Sequence, residues 1–281
     1  VTGRVERNSS DARAARAQGA YYLHGGTLYT SSSSEHFPAD GRCAYFSIEA
    51  GARYIMRGTS RVAREGTAVY HVRGGEFRHF RTSDSAMNTF NVGVGGGTGD
   101  ILVDNGGQMV FENTIFSLGR AIEAHENPNL GRKLSMCIDG EGSLAAFDTL
   151  IEWVIPQLAC CNEAVSSLGV MNGGAVRSST FQKPAEGFAG RGDSTMVPLV
   201  DTHAIVAFDD GTYQAGWNFP DGGQLHFKLF QGFAGGVDHV LVYSGGMTVR
   251  NDGYDNYKIG AALEAPTGNG IGSIELPDEI K

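Results

Sequence analysis

The 281-residue chain has little cysteine, little proline and few charges, and each scarcity removes a class of protein. Its four cysteines, Cys43, Cys137, Cys160 and Cys161, are too few for a disulfide scaffold at this length. Their spacing also lacks the two-knuckle pattern of a structural zinc site. In an extended strand the adjacent Cys160 and Cys161 point to opposite faces, which argues against joint chelation. No apolar run reaches the length of a membrane-spanning helix, and the residues after Val1 do not make a basic-then-apolar secretion signal. There is no HExxH metal helix and no Lys-Ser/Thr phosphate-loop pair. Twenty-two basic residues face 31 acidic ones, a formal net charge of −9, so a broad surface for nucleic-acid backbones is not expected. The expectation is therefore no nucleic-acid partner, no membrane insertion, no metal and no cofactor.

Glycine is what the chain has in excess, 41 residues against 8 prolines, without the every-third-residue period of collagen. Many tight turns are the economical explanation. The glycines pair in a recurring neighbourhood: His24-Gly25-Gly26, Arg73-Gly74-Gly75, Asn105-Gly106-Gly107, Asn172-Gly173-Gly174, Asp221-Gly222-Gly223 and Ser244-Gly245-Gly246, each followed by an alternating segment. Weaker copies stand at Ala50-Gly51-Ala52 and Asp139-Gly140-Glu141-Gly142. Counted on the second glycine of each pair, and on Gly51 and Gly142, the steps are 25, 24, 32, 35, 32, 49 and 23 residues. The 49-residue step has room for one further copy that has lost its glycine pair, and residues 200–206 are the candidate.

Apolar segments also precede the pairs, as at Ala68-Val69-Tyr70-His71-Val72 and Val240-Leu241-Val242-Tyr243. One unit thus reads as strand, Gly-Gly corner, alternating strand, loop and another short apolar segment. A unit of this size cannot bury its apolar face alone, whereas stacked copies share a continuous core. The predicted fold is all-β, a parallel β-helix with irregular coils, with a β-sandwich or jelly roll as the alternative. A propeller needs about four strands in each blade of roughly 40 residues, more than most of these intervals hold. Residues 1–20 read as a polar leader or cap, 21–263 as the repetitive domain and 264–281 as a terminal cap or tail. Residues 145–155 suit either a short buried helix or a strand. Arginines are dense in the first eighty residues, among them Arg53, Arg57, Arg73 and Arg78, several alternating with apolar positions as solvated side chains of a sheet do.

Chemistry is less legible. Gly93-Val94-Gly95-Gly96-Gly97-Thr98-Gly99-Asp100 has the backbone amides of a phosphate cradle, but Asp100 would repel phosphate and the flanks are not α/β, so a corner or inter-coil loop is favoured. Arg191-Gly192-Asp193 reads as an ordinary turn. A divalent metal at Asp100, Asp104, Glu123 and Glu126 would need their loops to converge. His125 and His203 each have carboxylates nearby in sequence that would orient a proton. Carbohydrate cleavage needs an acid and a second carboxylate or base at defined separation. Asp139, Glu141, Asp201 and Asp209 are the candidate catalytic residues, with Asp139 and Glu141 sharing a face if their segment is extended. Tyr213, Trp217 and Tyr243 are the candidate sugar-binding aromatics.

From about residue 65 to 260, the Gly-Gly corners, intervening apolar strands and variable loops together resemble the right-handed parallel β-helix regions of phage tailspikes and polysaccharide-processing enzymes. The resemblance is architectural and transfers no catalytic motif. It implies surface-glycan recognition, with or without cleavage, by an extracellular or virion homo-oligomer, a trimer in the fibre case. Its partner is a surface polysaccharide or a neighbouring assembly protein. Binding or a structural role stands ahead of polysaccharide hydrolysis or lysis, and a purely architectural assembly protein is the third reading.

Overall fold

The computed structural model describes residues 19–31, 35–37, 43–58, 60–63, 67–80, 88–93, 97–119, 132–148, 156–159, 163–190, 193–215, 228–229, 231–232, 235–250 and 258–266. Of the proposed leader at 1–20, residues 1–18 lie outside them and Gly19 and Ala20 begin a strand; of the proposed tail at 264–281, residues 267–281 lie outside them, as do residues 149–155. Residues 145–148 of the helix-or-strand segment belong to the strand Leu144–Asp148.

The chain forms a parallel β-helix. Sheet 1 contains nine strands in chain order along the stack: Gly19–Leu23, Cys43–Glu49, Thr67–Arg73, Thr98–Asp104, Arg132–Asp139, Ala164–Met171, His203–Asp209, His239–Val242 and Leu263–Glu264. Sheet 2 contains eight: Gly26–Ser31, Ala52–Arg57, Glu76–Phe80, Gln108–Glu112, Leu144–Asp148, Ala175–Ser178, Gly211–Ala215 and Met247–Arg250. Sheet 3 is shorter, with Glu35–Phe37, Ser60–Val62, Asn88–Val92, Thr114–Leu118 and Gln157–Leu158. Every pairing within these three sheets is parallel, and each strand pairs with its counterpart one coil away. That arrangement excludes the sandwich and the jelly roll, whose neighbouring strands are mainly antiparallel.

Register turns the period-2 pattern of each strand into ladders that run the length of the molecule. On the inner side of sheet 1, Phe46 pairs with Tyr70, Tyr70 with Ile101, Ile101 with Met136, Met136 with Leu168 and Leu168 with Val206. Aromatic rings fill the space between the sheets. Phe77, Phe90 and Phe111 contact one another, and the run continues through Phe116, Phe147 and Phe181 to Tyr213, with successive centroids 5.0–6.3 Å apart. Full burial of each such ring contributes roughly 1.5–3 kcal/mol, so the stack supplies the core that a lone coil lacks.

The paired glycines occupy the corner between sheets 1 and 2, and at Asn105-Gly106-Gly107 the two members serve different needs. Asn105 and Gly106 turn the chain in the left-handed region, with φ of 52° and 76°. Gly107 has no such φ, but a Cβ there would overlap the carbonyl oxygen of Val72 on the coil beneath. Backbone hydrogen bonds then join corner to corner: Gln108 N–H donates to Gly75 O, Leu144 N–H to Gly107 O, Ala175 N–H to Ser143 O and Thr212 N–H to Gly174 O.

This column locates the weaker copies one residue later than their glycines suggested. Ala52 pairs with Gly26 at the first, and Ser143 holds the stacked position at the second. The Ser143 hydroxyl accepts from Gly106 N–H at 3.1 Å. The extra coil in the long interval exists: His203–Asp209 is its sheet 1 strand, and its corner is Asp210-Gly211. Gly222-Gly223 lies outside the described residues. Gly93 and Gly99, from the phosphate-cradle stretch, are packing positions: a Cβ at Gly93 would overlap the Leu134 side chain, and one at Gly99 would stand 2.7 Å from Val92 Cγ1. Residues 94–96 are not among those described.

Candidate functional site

Alternation that sends Phe46, Ile48, Tyr70 and Val72 inward places Tyr45, Ser47, Glu49, Val69, His71 and Arg73 on the outer side of sheet 1. Tyr22 aligns with Ser47, and Ser47 with His71, on three successive coils. Residues 22, 45 and 71 therefore meet although about 25 residues of chain separate each from the next. Tyr22 is 57% exposed, stacks on His24 at 5.8 Å and 7°, and lies 5.6 Å from the Tyr45 ring. Tyr45 in turn meets the edge of His71 at 6.0 Å. Four rings thus form a strip across the first three coils.

A chain of hydrogen bonds runs beneath one end of the strip. His71 Nε2 is 2.8 Å from Asp104 Oδ1, and His71 Nδ1 is 2.6 Å from the Tyr45 hydroxyl. A carboxylate only accepts, so Nε2–H donates to Asp104; in the neutral ring Nδ1 then accepts, and the Tyr45 hydroxyl donates to it. Asp104 fixes the tautomer and ring orientation of His71, and His71 holds the proton of Tyr45. Ser47 Oγ donates to Glu49 Oε1 at 2.5 Å beside it. Further along the same face, the Cys137 thiol is pushed up to about 11 by burial, then by the charges of Asp139 and Asp104. It stays protonated at neutral pH and is a poor nucleophile.

The four carboxylates singled out from sequence are not assembled into one site. Asp139 ends its strand, where its Oδ1 accepts from Asn172 Nδ2 at 2.7 Å. Glu141 stands beyond it in the corner, between Gly140 and Gly142 with φ of 87° and 81°. The condition for Asp139 and Glu141 to share a strand face is thereby removed. Asp201 is exposed in a turn with φ of 51° ahead of the His203–Asp209 strand, and Asp209 is the last residue of that strand. At about 3.3 Å per residue, that strand separates them by about 20 Å, well beyond the roughly 5–10 Å between glycosidase carboxylates. Asp209 is almost fully buried and its Oδ1 accepts from Gly245 N–H at 2.7 Å, a corner-holding role. Asp210 projects outward as the left-handed corner residue.

The aromatic candidates fare differently from the strip. Tyr213 is completely enclosed in the core, packs against Phe181 and donates its hydroxyl to Ser178 O at 2.8 Å. No ring face is left for a sugar, which assigns it to packing. Tyr243 is buried with Ile205, Ala207 and Leu241 in a small second cluster. Trp217, Glu123, His125, Glu126, Arg191 and Gly192 lie outside the described residues. Asp100 accepts from Ser135 Oγ at 2.6 Å, and His203 is half-buried at the start of its strand. Among the described residues no three His, Cys, Asp or Glu side chains converge as metal ligands.

No protein-family model, curated protein or solved structure gives a significant match to this chain. The functional reading therefore rests on the chain's own geometry.

Proposed function

We propose that this chain is a glycan-recognition domain of an extracellular or virion assembly, of the tailspike-like β-helix type, binding on the outer face of sheet 1. The observation that carries the reading is the His24–Tyr22–Tyr45 strip, exposed at His24 and Tyr22, half-buried at Tyr45 and backed by the buried His71, with the carboxylates of Glu49 and Asp104 beside it. A sugar ring offers an apolar face to an aromatic side chain and hydroxyls to neighbouring carboxylates, and the strip presents both together. Parallel stacking extends this face along the molecule, which suits a polymer better than a compact ligand. A trimeric fibre remains part of the same proposal.

Cleavage is the second reading, favoured by the Tyr45–His71–Asp104 chain. A tyrosine held by a histidine that a carboxylate orients is arranged to move a proton. A broad polysaccharide panel separates the two, with retention on the protein measured alongside chain-length loss and unsaturated-end absorbance. Retention without products, abolished by Tyr22→Ala, supports recognition. Products that vanish in His71→Ala and Tyr45→Phe support cleavage, and neither retention nor products rejects both in favour of an architectural role.

A further inference from the structure

On the outer side of sheet 2, the charged residues of the early coils are almost all matched. Arg53 pairs with Glu76 at 2.7 Å, and Arg78 bridges Glu76 and Glu112 at 3.3 and 3.1 Å. Arg57 is the exception: among the described residues it has no carboxylate partner, and its Nε is enclosed without an acceptor. Two aromatic rings hold it instead. Its guanidinium carbon lies 4.4 Å from the Phe80 centroid and 5.4 Å from that of Tyr29, a ring that is 48% exposed.

We propose that Arg57, clamped between Tyr29 and Phe80, is a binding site for an oxyanion, a carboxylate or sulfate carried on an extended ligand. Three cations, Arg53, Arg57 and Arg78, face two carboxylates, Glu76 and Glu112, on this patch, so the uncompensated positive charge is local although the chain as a whole is strongly negative. Ring faces attract the cation but accept none of its N–H hydrogen bonds in the plane, so the two Nη groups, unlike the enclosed Nε, stay available to an acceptor. The clamp also pre-orients the guanidinium fork, and its planar donors match a carboxylate or sulfate in two parallel bonds. A sugar ring bearing the anion would then lie against the exposed Tyr29.

This inference rests on the glycan reading for the identity of the carrier, but it concerns a different sheet, and the test keeps the two apart. Binding to intact protein would be measured by calorimetry with an oligogalacturonate trimer, a chondroitin sulfate tetrasaccharide, a neutral trisaccharide and inorganic sulfate. The expected result is tighter binding of one acidic oligosaccharide than of the neutral one. Arg57→Gln should weaken it by roughly tenfold or more, the worth of one charge-assisted hydrogen bond. Arg57→Lys, which keeps the charge and loses the fork, should recover part of that, and Tyr29→Ala should weaken it with the fold intact by thermal melting. Binding of oligogalacturonate shows that a carboxylate suffices, binding of chondroitin sulfate without oligogalacturonate points to its sulfate ester because that probe carries carboxylates too, and inorganic sulfate binding as tightly shows that the carrier contributes nothing. Equal binding of acidic and neutral probes, unchanged affinity in Arg57→Gln, or no acidic binding overturns the oxyanion site. Neutral binding that is lost only in Tyr22→Ala would leave the sheet 1 reading standing, whereas acidic binding lost in Arg57→Gln with no effect of Tyr22→Ala on any probe would remove it.

Discussion

Replacing each member of one glycine pair separately tests how the corners hold the stack. Gly106 has φ of 76° with nothing within 4 Å of an added Cβ, so Gly106→Ala meets backbone strain alone, about 1–2 kcal/mol for an L-residue in the left-handed region. Gly107 has ordinary φ, but its Cβ would overlap Val72 O and stand 3.0 Å from Asp104 O. A carbon needs roughly 3.3 Å from a carbonyl oxygen, so two neighbouring coils must part by on the order of 1 Å. Overpacking of that kind costs about 1–3 kcal/mol. The same movement loosens two corner bonds between those coils, Gly74 N–H to Asp104 O at 3.0 Å and Gln108 N–H to Gly75 O at 2.9 Å, each worth about 0.5–1.5 kcal/mol. Gly107→Ala should therefore cost about 2–6 kcal/mol. Loss of unfolded-state freedom is common to both substitutions and cancels in the comparison. Urea unfolding followed by circular dichroism, with the midpoints of both variants compared, measures the difference. Equal destabilisation, or a larger loss for Gly106→Ala, would refute the assignment of Gly107 to a close inter-coil approach.

His79 gives a pH signature. It is buried among Phe77, Phe90 and Phe111, and burial lowers its pKa to about 4, with the Gly58 carbonyl partly offsetting the effect. The unfolded chain takes up this proton near the ordinary value of 6.5 while the folded chain does not, so stability falls as pH drops from about 6.5 to about 4, by about 3 kcal/mol in total. His79→Phe should flatten that part of the stability profile, and an unchanged slope in denaturation midpoints between pH 4 and 7 would contradict the burial of a neutral imidazole. Asp209→Ala removes the acceptor for Gly245 N–H and should destabilise by about 1–3 kcal/mol. Retained glycan binding in that variant checks that Asp209 is structural, whereas lost binding without lost stability would return it to the site.

The corners were readable because a stacked coil imposes two independent demands that only glycine meets together, one on φ and one on space. Where one demand lapses the signature degrades. Ser143 occupies a stacked position with its hydroxyl serving Gly106, and Asp210 takes the left-handed role ahead of a single glycine. That is why the copies at 142 and 211 were displaced or lost in sequence. The site was hidden for a different reason. Tyr22, Tyr45, His71 and Asp104 belong to four coils and meet only through register, so no local spacing links them. Tyr213 is a sugar-binding candidate by residue type alone, whereas the alternation Gly211, Tyr213, Ala215 around Thr212 and Gln214 marks it as inward once the corner is placed. Acidic residues next to glycines drew attention as an acid pair, but a corner separates Asp139 from Glu141, and side chains there serve the turn.

Tyrosine resonances offer the most direct test of where a ligand sits. Protein carrying ring-labelled tyrosine would be titrated with a polysaccharide fragment that it retains, and each resonance assigned by single Tyr→Phe substitutions. Binding on the outer face of sheet 1 predicts shifts concentrated at Tyr22 and Tyr45, with the core residue Tyr213 unmoved. Saturable binding that leaves Tyr22 and Tyr45 unperturbed would contradict the account.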